Sequence, residues 1–284
     1  MFELKKYIQL LSEERYKEAD KYRIDNMPKV IYKYIALKSS ESYKGYKDFE
    51  DSIQDDLKKL EAISSNKIWL STCSNLNDPF ELNALYIDEE RLNQYNWPIA
   101  EVKEIFEGFK GSFLIGSFTT HLNDCLPMWA HYANNHCGIC VEYTVIDPTN
   151  LYKVSYEYSR VPIAVIITNI INEYYLEENE GKVCEDTRKY ISSLLHSACI
   201  KDKSWEYEDE YRILHININK EKNGDLVNLI DIGLKMSAIY LGINCSKEHE
   251  EKLRKICNQQ NCHIYRMGIN NKDKSFSLIH QEIN

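Results

Sequence analysis

Apolar positions recur along this chain with two periods, and the period changes from segment to segment. Phe49, Ile53, Leu57, Leu60 and Ile63 mark one face of a helix at the 3.6-residue repeat. Leu4, Ile8 and Leu11 recur with similar spacing beside a tyrosine-bearing face, which predicts one amphipathic helix over residues 2–22. Pro28 breaks the chain, and the β-branched and aromatic run at 30–35 reads as a strand. Further strands are predicted at 67–71, 113–119, 138–144, 152–158, 162–168, 211–218, 236–241 and 263–267. Helices are predicted at 98–109, with Pro98 at the permissive start and Gly111 just beyond the end, at 185–199 and at 247–259. Residues 39–47 read as a polar loop and 127–132 as a helical turn.

Strands and helices follow one another without regular alternation, and no repeat or low-complexity linker divides them. The expected class is α+β: a single domain over 28–284 with a mixed, largely antiparallel central β-structure flanked by helices. Residues 1–27 form a helical extension, read as an interaction arm or a plain packing helix.

Composition narrows the class. A chain of 284 residues can bury a sizeable core, and 43% hydrophobic and 28% charged residues with 10 Gly and 6 Pro exclude a disordered chain or a fibre. A net charge of -9 argues against non-specific adhesion to nucleic acid or to an anionic membrane. The longest apolar run, 161–167, is far short of the roughly 20 residues that span a bilayer. The N-terminus lacks a signal-peptide core, so a cytoplasmic protein with no membrane partner is expected, its nine cysteines acting as small hydrophobes. Cys137-Gly138-Ile139-Cys140 lies near His131 and His136, but no second such pair exists, which favours buried thiols over zinc. No metal is expected. Neither a Gly-x-Gly-x-x-Gly fingerprint nor a Walker loop is present.

Three stretches carry candidate chemistry. In Asn77-Asp78-Pro79-Phe80-Glu81, Asp78 is placed to cap a helix beginning at Pro79, with Glu81 completing a capping box. That leaves Asn77 and Phe80 as the ligand contacts. In Trp129-Ala130-His131-Tyr132, three ring-bearing side chains within four positions suit recognition of a flat ring, although Tyr132 and Met128 at helical spacing also suit a core. In the stretch from Lys203 to Arg212, a strand beginning near Tyr207 would set Glu208, Glu210 and Arg212 on one face, with Lys203 and Trp205 supplying a phosphate contact and a stacking surface. A solvated edge strand explains the same pattern without function.

With Tyr32-Lys33-Tyr34, Ser117-Phe118-Thr119 and Tyr240-Leu241-Gly242 added, these motifs resemble domain of unknown function 2971, a family of uncharacterised bacterial proteins. The resemblance runs from about residue 30 to 268. A second resemblance, to proteins of the ADP-ribosyltransferase type, fills an early basic slot with Tyr32-Lys33-Tyr34 and a middle slot with the 71–81 region or Ser117-Phe118-Thr119. Its late Glu-x-Glu slot falls on Glu208 and Glu210. It departs from that pattern in having Lys33 where Arg or His is usual. It implies NAD as substrate, Glu210 as the catalytic carboxylate with Glu208 as its partner, and Lys33 or Arg212 on the pyrophosphate. It also implies a nucleic-acid or protein acceptor and a toxin or antiviral-defence setting. Two other readings stay open. One is a metal-dependent phosphodiesterase or nuclease built on Asp78, Glu81, Glu208 and Glu210. The other is a nucleotide- or base-binding module without catalysis.

Overall fold

The computed structural model describes residues 2–13, 15–38, 49–94, 96–162, 195–218, 223–272 and 274–283. The expected loop at 39–47, nearly all of the expected strand at 162–168 and residues 185–194 of the expected helix at 185–199 lie outside those residues. Two helices, α1 (Leu4–Ser12) and α2 (Tyr16–Asn26), replace the single N-terminal helix expected. They turn back on each other to bury Tyr7, Leu10 and Ala19 together. One long helix would have left half of these apolar groups in water. From α2 the buried Arg23 donates to the carbonyls of Leu151 at 2.6 Å and Thr149 at 3.0 Å, tying the pair to the body of the molecule.

The chain continues through β1 (Val30–Ile35), α3 (Phe49–Ser64), β2 (Lys67–Ser71) and β3 (Leu85–Tyr86). Next come α4 (Glu89–Gln94), α5 (Ile99–Gly111), β4 (Phe113–Thr119), α6 (Leu126–Tyr132) and β5 (Ile139–Val145). The segment expected as one strand at 152–158 is two, β6 (Leu151–Lys153) and β7 (Ser155–Glu157), followed by β8 (Val161–Pro162) and β9 (Ile200–Asp202). Then come β10 (Glu210–Ile216), β11 (Gly224–Asn228), β12 (Leu234–Leu241), α7 (Lys247–Gln260), β13 (His263–Ile269) and β14 (Leu278–Glu282). The expected α+β class holds: in the main sheet only β12 and β13 pair in parallel. Among the described residues no helix is long and apolar enough to cross a membrane.

One feature of this sheet creates the site. β10 pairs with β4 along its whole length, from Glu210 opposite Thr119 to Ile216 opposite Phe113, and so occupies one edge of β4. The other edge is shared by two strands. β1 meets it at Thr119 through Tyr32, and β2 meets it at Ile115 through Ser71. Between those points β1 and β2 diverge, and the sheet is slit at Ser117. The register sorts side chains about the slit. Ile31, Lys33, Phe118, Val141 and Tyr143 share one face, packed on α3 and α7, whereas Tyr32, Ser117, Glu142, Glu210 and Arg212 share the other, packed on α6. Gly138 allows β5 to start where it does, because a Cβ there would stand 2.2 Å from the Ile35 carbonyl oxygen.

Two local expectations are corrected. No helix begins at Pro79: Asp78 Oδ1 accepts from the Phe80 amide at 2.8 Å in an Asx turn, and Glu81 does not close a capping box. Its carboxylate goes instead to a buried guanidinium, which needs a counter-charge far more than a turn amide needs an acceptor. Nor does β10 begin at Tyr207. Lys203–Glu208 is a 3₁₀ helix, and Asp209, in the left-handed region at φ 44°, turns the chain into the strand. Asp tolerates that conformation better than most residues, and its carboxylate is held by Thr120 and Lys153.

Candidate active site

The slit opens into a cavity of about 350 Å³, toward the lower end of the roughly 300–1,000 Å³ usual for small-molecule sites. Eight of the residues singled out from the sequence line it: Tyr32, Lys33, Tyr34, Asn77, Ser117, Tyr132, Glu208 and Glu210. They come from β1, the turn after β2, β4, α6 and the 3₁₀–β10 junction, so stretches far apart in sequence meet there.

The polar floor is a chain of hydrogen bonds running from Asn77 to Glu81. Asn77 Nδ2 donates to the Tyr132 hydroxyl at 3.0 Å, and Tyr132 donates to Glu208 Oε1. Lys201 Nζ bridges the two carboxylates, 2.7 Å from Glu208 Oε2 and 3.0 Å from Glu210 Oε2. Arg212 Nε donates to Glu210 Oε1 at 2.9 Å, while Nη1 and Nη2 grip Glu81 at 2.5 and 3.0 Å and Nη1 also reaches the Ala198 carbonyl at 2.6 Å. The two ends of Asn77-Asp78-Pro79-Phe80-Glu81 therefore hold the two ends of one network. Glu208, Glu210 and Arg212 do meet, as the sequence suggested, but through a bridging lysine and a left-handed residue, not through a continuous strand.

The network has three carboxylates and two cations, and this imbalance separates the carboxylates chemically. Burial pushes Glu210 up, but the Arg212 guanidinium and then Lys201 outweigh it, with Ser117 donating as well, and hold the carboxyl at about 2. Glu210 is a fixed negative charge at neutral pH. Burial raises Glu208 and the charge of Glu210 adds to it, with Lys201 only partly opposing. Burial likewise raises Glu81 against the pull of Arg212. Glu208 is thus the more readily protonated member of the pair and Glu210 the fixed charge. Lys33 faces the cavity from the other side of the slit. Burial lowers its ammonium to about 8 despite the attraction of Glu210.

Lys201 was missed from the sequence, as were Trp69 and Tyr143, which add rings to the wall beside Phe118 of the Ser117-Phe118-Thr119 motif. Trp69 is 48% exposed, which sets it at the rim. Lys201 sits in an apolar run followed by an Asp–Lys pair, and nothing in its sequence context distinguishes it. Other candidates lie elsewhere. Trp129 is 0% exposed, its ring edge-on to Tyr34 at 5.0 Å and its Nε1 bonded to the Leu122 carbonyl at 2.9 Å, so it is core. His131 lies beside the cavity, its Nδ1 3.2 Å from the Tyr207 hydroxyl. Phe80, 53% exposed, lines a smaller cavity of about 140 Å³ on the far side of Lys201. Lys203 pairs with Glu206, and Trp205 lies under Lys201, 4.9 Å from its Nζ. Arg212 is wholly enclosed by its partners and does not reach a pyrophosphate. Asp78 and Glu81 are architectural, as is Pro79 in the turn between them.

Residues 128–213 match the model of the family described as Protein of unknown function (DUF2971). Over that segment, about a third of the chain, the sequence is similar to DUF2971. The DUF2971 match takes in Tyr132, Lys201, Glu208, Glu210 and Arg212, so most of the charged floor lies within it, while Tyr32-Lys33-Tyr34 and Asn77-Asp78-Pro79-Phe80-Glu81 lie outside. No curated protein and no solved structure matches the chain.

Proposed function

We propose that the chain is an NAD-using enzyme, an ADP-ribosyltransferase or NAD glycohydrolase, with the slit as its active site. The observation that carries this reading is the position of Glu210 at the floor of a ring-lined cavity, ion-paired to Arg212 and Lys201 and joined through Lys201 to a second carboxylate, Glu208. NAD is the substrate. Cleavage breaks the bond between ribose C1′ and the nicotinamide nitrogen, and the electron pair leaves with nicotinamide. The cationic ribose that remains is stabilised by the floor, which carries one net negative charge when Glu208 is ionised. Water or an acceptor hydroxyl then attacks C1′ and its proton passes to Glu208. The tyrosine and tryptophan rings would hold the flat nicotinamide and Lys33 the pyrophosphate. At about 350 Å³ the cavity takes one half of the dinucleotide, leaving the other along the rim near Trp69. On this reading the chain works in the cytoplasm, and its acceptor is a nucleic acid or a protein. A toxin or defence role follows if NAD is consumed in living cells.

The metal-dependent phosphodiesterase reading has less support. Glu81, Glu208 and Glu210 are each paired to Lys201 or Arg212, and Asp78 lies apart in its turn. Among the described residues no group of three His, Cys, Asp or Glu side chains is arranged to hold a metal ion. The test is calorimetry of purified protein with NAD in the presence of EDTA, followed by an assay of nicotinamide release. NAD binding with release that Glu210→Gln abolishes supports the proposal. Binding without release in any condition would make the slit a base-binding module, and no binding at all would overturn the reading.

A further inference from the structure

Among the described lysines lining the slit, Lys33 is sheltered and yet meets no carboxylate, whereas Lys67 is exposed to solvent. Lys201 meets two carboxylates, Lys153 meets Asp209, and Lys59 meets Asp55 and the Ala36 carbonyl. An ammonium has three protons to donate. Lys33 Nζ has one acceptor, the Ser117 carbonyl oxygen at 3.2 Å, with the Phe118 ring 5.3 Å away on the same face of the sheet. A charged amine so placed is poorly solvated, whereas a neutral amine needs only the bond it has. Its lone pair is then free at a cavity wall. Glu208, Glu210, Tyr132 and Lys201 face the same space, as do Tyr143 from β5 and Lys59 from α3.

We propose that Lys33 is a nucleophile that forms an imine with an aldehyde-bearing, phosphorylated ligand in the slit. The amine attacks the carbonyl carbon and a C=N bond forms. The carbonyl oxygen departs as water carrying the two former amine protons. No electron is transferred and no metal is needed. The anionic group is favoured by Lys67, which lines the same cavity and meets no carboxylate among the described residues, and a flat ring by the aromatic wall. The inference stands on the geometry of Lys33 and does not require that NAD be a substrate.

The experiment treats the full chain with pyridoxal 5′-phosphate, an aldehyde with a flat ring and a phosphate, and fixes the adduct with cyanoborohydride before peptide mapping. Lys33 is expected to label about tenfold faster at pH 7 than Lys59 or Lys67, because burial in the slit favours its free-amine form and the cavity holds the aldehyde against it. Its labelling rate should rise up to about pH 8 and flatten there, where burial holds its ammonium. Lys33→Arg should remove the adduct, with a thermal melt to show that the variant folds. Equal labelling of the three lysines, or a Lys33 rate that keeps climbing past pH 10, would overturn the proposal, and both are read on the native sequence. Protection by NAD is a separate arm: labelling without protection leaves the nucleophile and removes support for NAD in the slit.

Discussion

Replacing Arg212 by methionine keeps an unbranched apolar stem and removes the charge that joins Glu81 to Glu210. Both carboxylates are almost wholly buried, as is the guanidinium. Breaking a buried ion pair by deleting one partner costs about 3–5 kcal/mol, because the remaining charge is stranded. Here two carboxylates lose a partner, but Glu210 keeps Lys201 and either can take up a proton, so a loss of about 4 kcal/mol at neutral pH is expected. The pH dependence is the sharper part. In the variant both carboxyls titrate above their unfolded value, so the folded state binds more protons than the unfolded one and stability falls as pH rises. The gap between native protein and variant should therefore be widest near pH 8. It should shrink by up to roughly 1.4 kcal/mol per proton for each unit of pH on going down toward pH 5. Urea unfolding at the two pH values measures this directly. A loss under about 1 kcal/mol, or the same loss at both pH values, would refute the account of the network as charge compensation.

Four further outcomes follow from the same geometry. Glu210, held at about 2 against an ordinary 4.5, contributes about 3 kcal/mol that is present above pH 4.5 and lost as pH falls toward 2; acid unfolding of Glu210→Gln should lack that segment of the curve. Glu210→Gln should also lower nicotinamide release by at least about 100-fold while leaving NAD affinity within a few fold, as calorimetry would show. Tyr132→Phe removes a donor that holds Glu208 down, so the acid limb of the rate profile should move to higher pH. Lys33 has a lowered value, so the folded state sheds its proton first and stability should rise between about pH 8 and 10.5, by up to about 3 kcal/mol; Lys33→Met should abolish that rise in a series of melts.

Periodicity alone located β1, α3, β2, β4, α6 and α7 almost to the residue, because each buries one face and its apolar spacing records which. It failed at the N-terminus, where a repeat compatible with one helix is folded into two that cover each other. The chemistry was legible in part. Tyr32, Lys33, Asn77, Tyr132, Glu208 and Glu210 stand out by type and crowding, and the fold gathers all six around one cavity. Trp129 drew notice for its ring and proves to be core, since an aromatic at helical spacing looks the same whether it meets a ligand or a neighbour. Glu81 was read through its nearest neighbours as part of a cap, but its partner lies 131 residues away.

Most strands and helices, and the residue types available for chemistry, can be read from the chain, because both follow from local spacing and composition. That β1 and β2 share one edge of β4 and leave a slit between them emerges only when the chain folds. Folding alone sets Lys201 between Glu208 and Glu210 and lets Arg212 close the circuit to Glu81. These are long-range pairings, fixed by strand register and by the need of each buried charge for an opposite one. No local pattern encodes which distant charge that will be.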